Sequence, residues 1–355
     1  MKKGIILNAE AFGYGPSSLI AQLFNEIRPH FDYIGYIGEG HTLDLQQQLN
    51  YDDIFEIKDF KSVNKILNEN KTKYQYFLSA LDFKYVELAK KNGYKTALYD
   101  PLLWFWKNKP SEEYLDLYIV QDFYNTKNII KNYKKSYLIP PIVKSKKEIK
   151  NKKNYFINFG GLYNPYFKNE DLSLFAKIVS DSVDGDVAGN KEILNNLNRG
   201  RTYSPQEIQK KLSTSEIAIM TSGLGNIFEA SANKVKTIWL PPTNDSQGQQ
   251  LEIIKEDCGE FIGWEDFTIG GKIDYFRDQE AVMKDIEIRI QYFINNKNSQ
   301  NKFKKILLKK IENLKNKEVK IDNVLKKYGE GGLNCFKNII LNWTNPIKVA
   351  NIDLH

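Results

Sequence analysis

The hydrophobic residues of this chain fall into short runs that alternate with longer stretches of helical spacing. An apolar run at 3–9 is followed by a stretch from Ser17 to Ile27 whose apolar residues share one helical face. The other strand candidates of this half are 33–37, 54–57, 75–79, 95–99, 115–120 and 136–139. Alternation of this kind predicts a parallel sheet built from right-handed βαβ units.

The alternation stops at Pro140-Pro141 and begins again beyond a lysine-rich stretch. We therefore predict an α/β protein with two Rossmann-like domains. Its parts are an N-terminal domain at 1–143, a linker at 144–153, a C-terminal domain at 154–332, and a final helix with a tail at 333–355.

Composition narrows the class of protein. Hydrophobic residues make up 41% of the chain and aromatic residues 13%, which is ample for packed cores and excludes global disorder. No run of eighteen apolar residues occurs, so we expect no transmembrane span. The first residues enter a strand directly, which predicts a cytoplasmic protein without a signal peptide. Cys258 and Cys335 are far apart and match no metal-binding spacing.

The formal net charge of +7 comes largely from lysines at 144–153 and 302–327. The second stretch has an apolar stripe of helical period, which indicates a helix with lysines on its solvated face. Neither stretch interleaves arginines and aromatic residues as a nucleic-acid-binding surface does, so no nucleic-acid partner is expected. The pattern leaves the oligomeric state open.

The stretch 215–250 carries the strongest functional signal. An apolar strand at 215–220 leads into a Ser-Gly-Leu-Gly loop and a short helix that carries Glu229. A second strand at 235–240 opens into a polar loop at 241–250. Because the loops that follow neighbouring parallel strands meet at one edge of the sheet, this unit predicts a ligand site there.

The residue types at that edge suit a phosphorylated sugar ligand. Gly223 and Gly225 let the backbone approach a ligand closely. The amides of Gly225 and Asn226 would lie at a helix N-terminus, which favours a phosphate. Glu229 is placed to accept hydrogen bonds from sugar hydroxyls, although an acid near a helix start also simply complements the helix dipole. The polar loop, which contains Gln249 and Gln250, favours the ligand site.

This pattern resembles the donor half of the GT-B glycosyltransferases, in particular the branch of the peptidoglycan lipid-intermediate GlcNAc transferase. The resemblance implies that Glu229 binds the ribose of a nucleotide sugar, that the Ser-Gly loop serves its diphosphate, and that the Gln-Gln pair serves its sugar. The second loop lacks the histidine that some members have. The donor-binding residues predicted in this way are Gly160, Gly161, Asn164, Thr221, Ser222, Gly223, Gly225, Asn226, Glu229, Asp245, Gln249 and Gln250.

The resemblance also implies an arrangement of the whole chain. The two domains are expected to face a cleft, with the donor on the second domain and the acceptor on the side of the first. The glycine pair Gly160-Gly161 would lie by the donor phosphates, and the final helix would cross back to the first domain.

Displacement of a nucleoside diphosphate with inversion requires a base that takes a proton from the attacking group. Glu10, Asp100 and His41 each follow a predicted strand of the first domain and are the candidates, with a surface acid or a structural turn as the alternative for each. Helix-terminal amides can stabilise the leaving diphosphate in place of a metal, so neither a metal nor another cofactor is expected. Asp184 and Asp186 form a D-x-D pair of the kind that holds a metal in the GT-A class, but their position indicates a turn.

Four short segments resemble a narrower group, the cytosylglucuronate synthase type. They are 12–15, 99–104, 158–165 and 221–226. The resemblance implies transfer of glucuronate from UDP-glucuronate to a pyrimidine base such as cytosine. The acceptor-binding residues predicted on this basis are Gly13, Tyr14, Gly15 and Trp104.

We therefore predict an inverting, metal-independent glycosyltransferase that moves a sugar from a UDP-sugar to a small-molecule acceptor. Two alternatives stay open. One is a nucleotide-sugar hydrolase or epimerase on the same frame, which would need no acceptor. The other is a non-catalytic protein that binds a UDP-sugar and releases nothing.

Overall fold

A computed structural model describes residues 2–107, 111–146, 152, 154–160, 162, 166–195, 197, 199–257, 259–316 and 323–345. The chain divides into two compact units. The first unit holds the described residues of 2–11, 16–143 and 330–345, and the second unit holds those of 12–15 and 144–329.

The first unit is built on a sheet of seven strands that are all parallel. The strands are β1 (Gly4–Ala9), β2 (Tyr33–Gly38), β3 (Asp53–Glu56), β4 (Tyr76–Ala80), β5 (Lys95–Asp100), β6 (Leu117–Gln121) and β7 (Ser136–Ile139). Their order across the sheet is β3-β2-β1-β4-β5-β6-β7. The chain order reverses beside β1, and ligands of open α/β sheets bind at the carboxyl ends of strands near such a point.

Helices connect these strands and cover the sheet. They are α1 (Gly15–Ile27), α2 (Leu43–Gln46), α3 (Phe60–Asn70), α4 (Phe83–Lys91) and α5 (Thr126–Ile129), with 3₁₀ turns at Arg28–His30, Gly40–Thr42, Glu112–Tyr114 and Ile130–Asn132. The apolar stripe of α1 is buried in one cluster with Leu7 of β1 and Ile34 of β2. The predicted helical face is therefore the one that packs.

The second unit has a parallel sheet of five strands in the order β12-β11-β10-β8-β9. The strands are β8 (Tyr155–Asn158), β9 (Asp186–Ala188), β10 (Ile217–Met220), β11 (Lys236–Trp239) and β12 (Glu260–Phe261). The helices are α6 (Asn169–Ser180), α7 (Lys191–Leu194), α8 (Pro205–Thr214), α9 (Leu224–Ala232), α10 (Asp245–Ile254), α11 (Gln279–Asn295), α12 (Lys297–Lys315) and α13 (Asn323–Tyr328), with a 3₁₀ turn at Trp264–Asp266.

The sequence prediction was wrong on the nature of the stretch 241–250. Its second half is the first part of helix α10, so Gln249 and Gln250 lie on a helix and not in a loop. The side chain of Asn244 accepts a hydrogen bond of 2.8 Å from the backbone N–H of Gln247 and caps the helix. A capping asparagine starts a helix even where the following residues are polar.

The last helix, α14 (Gly332–Thr344), belongs to the first unit, as predicted. Its Phe336 stacks on Tyr99 with the ring centroids 5.1 Å apart. The start of α14 requires its two glycines. Gly331 has a φ of +85°, and a Cβ on Gly332 would lie 1.9 Å from the carbonyl oxygen of Pro140. Both features favour glycine over any other residue.

The two parallel sheets with helices confirm the predicted α/β class. Among the residues that the structure describes, none of the helices combines the length and the apolar character needed to cross a membrane.

Candidate functional site

The carboxyl edge of the second sheet brings together residues from two predicted segments. Asn158 ends β8, and its side-chain N–H₂ donates to Asn226 Oδ1 at 3.1 Å. Its own Oδ1 accepts from the backbone N–H of Gly160 at 2.9 Å. The side chain of Asn226 in turn donates to the carbonyl oxygen of Thr221 at 2.9 Å. The glycine turn after β8 and the loop after β10 are therefore fixed to each other by two asparagines.

Gly160 adopts a backbone conformation with a φ of +56°. A Cβ at this position would lie 3.6 Å from the side chains of Asn226 and Thr221, which is ordinary van der Waals contact. The glycine is therefore needed here for its left-handed backbone more than for space.

The N-terminus of α9 is open. Gly223 caps the helix with an extended backbone and without a side-chain hydrogen bond. Cβ atoms added at Gly223 and Gly225 would meet nothing within 4 Å. The first N–H groups of an α-helix have no acceptor within the helix, and the helix dipole makes this end positive. The geometry therefore offers an anion a clear approach to backbone donors.

The loop after β10 is joined to the start of α10. Ser222 is fully buried, and its hydroxyl donates to the carbonyl oxygen of Gln247 at 3.1 Å. The side-chain oxygen of Gln247 accepts from the backbone N–H of Thr243 at 3.0 Å. Ser222 thus joins the loop after β10 to the start of α10, and its hydroxyl is directed at Gln247.

The Gln-Gln pair and Asp245 are all on α10, but their surroundings differ. The side-chain N–H₂ of Gln249 donates to the carbonyl oxygen of Tyr275 at 2.9 Å. Gln250 is 3% exposed, and its side-chain oxygen is buried without a hydrogen-bond partner among the described residues. Asp245 is buried in the first turn. Of this pair, Gln250 is thus the residue whose side-chain oxygen is buried without a partner among the described residues.

Glu229 lies beyond the first turn of α9, and the residue is half-buried. Burial raises the pKa of its carboxyl to about 7, while a hydrogen bond from Gln209 and the charge of Lys146 oppose that rise. Gln209 also accepts from the side chain of Asn233 at 2.9 Å. Glu229 is therefore oriented from α8, and its charge state changes near neutral pH.

Two predicted donor residues, Gly161 and Asn164, lie outside the described residues. The D-x-D pair of Asp184 and Asp186 lies before and at the start of β9, at the amino edge of the sheet. Asp184 pairs with Arg199 at 2.8 Å, and Asp186 pairs with Lys211 at 2.7 Å. These acids are thus in ion pairs away from the carboxyl edge.

Among the candidate bases, Glu10 follows β1 at the carboxyl edge of the first sheet. Its backbone N–H donates to the carbonyl oxygen of Ala80 at 2.9 Å. Burial raises the pKa of its carboxyl to about 7, with further upward contributions from the charges of Asp82 and Asp100 and an opposing one from Lys84. A carboxyl with such a pKa can accept a proton and release it near neutral pH.

Asp100 ends β5 and is 0% exposed. Its Oδ1 accepts from the backbone N–H of Leu102 at 2.7 Å and from the indole N–H of Trp106 at 3.2 Å. Its Oδ2 accepts from the hydroxyl of Tyr118 at 2.7 Å. Because its fully buried carboxylate accepts these three hydrogen bonds, Asp100 stabilises the turn after β5.

His41 lies in the 3₁₀ turn after β2 and is 9% exposed. The backbone of Gly13 has a φ of +70°, while Gly15 begins α1. Trp104 is half-buried, and its ring centroid lies 5.2 Å from that of Phe123. Trp104 therefore belongs to an aromatic cluster of the first unit.

Sequence reasoning missed two residues that act on these two edges, Gln209 and Asp82. A signal was present for Asp82, since it follows an apolar strand just before a helix. Gln209 acts through a tertiary contact, which no local pattern reveals. Asn158 and Gln247 lie in the segments 158–165 and 241–250 that the sequence had indicated, and the structure adds the contacts that they make.

Comparison with known proteins bears on the fold. No family model matches the chain, and no curated protein sequence matches it. Solved structures do match over almost the whole length. The chain has the GT-B fold. One structure that shares it is a protein from Listeria monocytogenes assigned as a UDP-N-acetylglucosamine 2-epimerase, with 14% identity, a TM-score of 0.53 and 100% of both chains covered.

A second GT-B structure similar to this chain is MurG from Acinetobacter baumannii. It has 10% identity and a TM-score of 0.52, with 95% of this chain and 99% of MurG covered. At such identities the likeness concerns the fold, and the function has to be argued from the residues of this chain.

Proposed function

We propose that this GT-B protein is an inverting, metal-independent glycosyltransferase that uses a UDP-sugar. The observation that carries the proposal is the open N-terminus of α9, with two glycines that leave room for a ligand and a glutamate further along the same helix. A diphosphate needs backbone donors and a ribose needs an acceptor, and this helix offers both.

The donor is assigned to the second unit. The amides of Gly225 and Asn226 hold the diphosphate, and the Glu229 carboxylate accepts from the ribose hydroxyls. Gln250 accepts from a hydroxyl of the transferred sugar, which would satisfy the side-chain oxygen that is buried without a partner among the described residues. One of the similar structures, the Listeria monocytogenes protein, is assigned to a reaction of UDP-N-acetylglucosamine. This supports the proposal that a UDP-sugar binds to this fold.

Glu10 is the proposed base. As the acceptor O–H or N–H attacks the anomeric carbon, its proton passes to the Glu10 carboxylate. The bond between that carbon and the diphosphate oxygen breaks, and UDP leaves with the bonding electrons. Glu10 suits this role because its pKa is raised to about 7, whereas Asp100 is fully buried and accepts from three protein donors.

The leaving UDP gains negative charge, and the proposal assigns its stabilisation to the N-terminus of α9. Preorganised backbone donors can stabilise such charge without a metal ion.

The narrower proposal is transfer of glucuronate to a pyrimidine base such as cytosine, which rests on the four sequence segments. A glucuronate carboxylate requires a cation nearby. Arg199 and Arg201 pair with Asp184 and Glu207, whereas the exposed Lys168 lies at the end of the segment that links β8 to α6. Lys168 is therefore the cation we assign to the glucuronate.

The test is release of UDP from a panel of UDP-sugars, with and without cytosine-type acceptors and with EDTA. The proposal predicts release that depends on an acceptor and is insensitive to EDTA. For the narrower proposal, release occurs from UDP-glucuronate and only with a pyrimidine present. Tight binding of UDP without release from any donor would instead indicate a non-catalytic binding protein.

A second candidate function is hydrolysis or epimerisation of a nucleotide sugar. The observation that favours it is the shared fold with the Listeria monocytogenes protein assigned as a UDP-N-acetylglucosamine 2-epimerase. The same panel separates hydrolysis from transfer, because a hydrolase would release UDP with no acceptor present. An epimerase would release no UDP, so it is recognised by analysing the UDP-sugar itself, whose sugar would be converted into its epimer without an acceptor.

A further inference from the structure

Glu10 and Asp82 follow neighbouring strands at the carboxyl edge of the first sheet. Glu10 follows β1, and β1 is paired in parallel with β4. The backbone N–H of Glu10 donates to Ala80, the last residue of β4, at 2.9 Å. Asp82 lies two residues beyond Ala80. The backbone therefore brings Asp82 to the place where Glu10 emerges from the sheet.

The backbone and the carboxylate of Asp82 are held by local contacts. Its N–H donates to Ser79 Oγ at 3.1 Å, and its Oδ1 accepts from the N–H of Tyr85 at 3.1 Å as the cap of α4. The preceding Leu81 is buried and has a φ of +72°. A leucine adopts a left-handed backbone only where its surroundings enforce it, and such residues concentrate at functional sites.

The charges around this pair are few among the described residues. Glu10 faces Asp82, Asp100 and Lys84. Asp82 faces Glu39 and Lys84. Asp100 is engaged with donors from its own turn and from β6, which leaves Asp82 and Lys84 as the two charges whose replacement can alter Glu10 without breaking the turn after β5.

We propose that Asp82 is a positioning residue for Glu10, and that its negative charge lets Glu10 hold the proton removed from the acceptor. This inference rests on the proposed role of Glu10 as the base. An isolated exposed carboxylate is a weak base at neutral pH, and a nearby negative charge strengthens it by disfavouring the ionised form.

The titration of the two groups supports this assignment. Burial raises the pKa of Asp82 to about 6, against the hydrogen bond from Tyr85, and the pKa of Glu10 is raised to about 7. Asp82 therefore ionises first as the pH rises, and Glu10 loses its proton in the presence of that charge. Above pH 7 both carboxyls are ionised, and Glu10 is then in the form that can take a proton from the acceptor while Asp82 keeps its negative charge.

The test measures the Glu10 carboxyl directly. A ¹³C-labelled chain is titrated by NMR, and the Glu10 resonance is assigned with the Glu10→Gln variant. Asp82→Asn removes the charge but keeps an N-cap, since asparagine and aspartate cap helices equally well. Asp59→Asn is the matched control, because Asp59 caps α3 in the same unit with a 2.7 Å bond from Ser62 and is not among the charges that act on Glu10.

We expect Asp82→Asn to lower the pKa of Glu10 by about 0.5–1 pH unit, because a nearby negative charge disfavours ionisation of a carboxyl. Lys84→Met shifts it in the opposite direction, and Asp59→Asn leaves it unchanged. The acid limb of kcat/KM should move with the Glu10 resonance in each variant.

An unchanged Glu10 titration in Asp82→Asn would overturn the inference whatever the activity of the protein. If Glu10→Gln keeps full activity, the proposed base is wrong and Asp82 has no base to position, although the NMR shift would still be seen. The two failures are therefore distinguishable, because one is read from the protein alone and the other from its reaction.

Discussion

The hydroxyl of Ser222 donates a hydrogen bond of 3.1 Å to the backbone carbonyl oxygen of Gln247. This bond joins the loop that follows β10 to the first turn of α10, which follows β11. The helix start proposed to bind the diphosphate and the helix that carries the Gln-Gln pair are therefore fixed relative to each other.

Ser222→Ala should loosen this connection. A typical buried hydrogen bond contributes ~1 kcal/mol, so we expect a loss of that order in the free energy of unfolding. UDP affinity should fall as well, because the two loops no longer hold one arrangement. Both quantities are measured, by urea unfolding and by calorimetric titration with UDP.

Ser173→Ala is the matched control for that variant. Its hydroxyl is buried and donates to the carbonyl oxygen of Ile193 at 2.8 Å, in the same unit but on α6. It should show a similar loss of stability with unchanged UDP affinity. If Ser222→Ala binds UDP as tightly as Ser173→Ala does, Ser222 does not contribute to the donor site.

Gly225→Ala should weaken UDP binding without lowering the stability of the protein. A Cβ at this position meets nothing within 4 Å, and alanine is favoured over glycine in a helix by up to about 1 kcal/mol. We therefore expect an equal or higher thermal midpoint together with UDP affinity reduced about tenfold, which is ~1.4 kcal/mol. A variant that binds UDP as the parent does would show that no phosphate approaches this turn.

Glu229 should make donor binding depend on pH. Its pKa is raised to about 7, and the ionised form is the better acceptor for ribose hydroxyls, so UDP affinity should fall as the pH drops below 7. Glu229→Ala should weaken UDP binding by ~1–3 kcal/mol, the range for hydrogen bonds to a charged group. Calorimetry at pH 6 and pH 8 checks both, and Glu10→Gln, in the other unit, should leave UDP affinity unchanged.

The same shift affects stability with a defined sign. Glu229 ionises at a lower pH in the unfolded chain than in the folded one, since its folded pKa is raised above the ordinary value of 4.5. Its contribution to the free energy of unfolding is therefore present below pH 4.5 and is lost as the pH rises through 7. Glu229→Gln should flatten this decline between those limits. An unaltered decline in the variant would show that Glu229 is not the group responsible.

Asp100 should prove to be a structural residue of the first unit. Asp100→Ala leaves three donors without their acceptor, so the free energy of unfolding should drop by at least ~2 kcal/mol. Tyr118→Phe removes one of these donors, and the double variant should therefore be less destabilised than the sum of the two singles, with a coupling of ~1–3 kcal/mol. Additive effects would show that the 2.7 Å bond between the two side chains contributes nothing.

Much of the fold could be predicted because it rests on local patterns. Most strands of both sheets are apolar runs, and the helices between them carry apolar stripes, so hydrophobic spacing was enough to indicate two α/β halves. The two-residue strand β12 (Glu260–Phe261) has no such pattern and was not predicted. The start of α8 is an example of a local signal, because Ser204 caps the helix and Pro205 is its first residue.

The details of the site depend on contacts between distant segments. Tyr118 reaches Asp100 from the neighbouring strand, and Gln209 reaches Glu229 from α8. In both cases the partner is determined by packing, and the sequence around the site residue does not indicate it. The start of α10 is different, because Asn244 caps it through a local contact with Gln247 that the polar character of the stretch had obscured.

The most direct test of the donor site is amide chemical-shift mapping with UDP on deuterated, ¹⁵N-labelled protein. The account predicts that the largest shifts occur at Gly160, Gly223, Gly225 and Asn226, at the carboxyl edge of the second sheet. Uridine, which lacks the phosphates, should leave Gly223 and Gly225 much less affected. Shifts confined to Gly185 and Gly200, which line a separate groove at the amino edge of the second sheet, would contradict the account. The absence of any shift with UDP would contradict it as well.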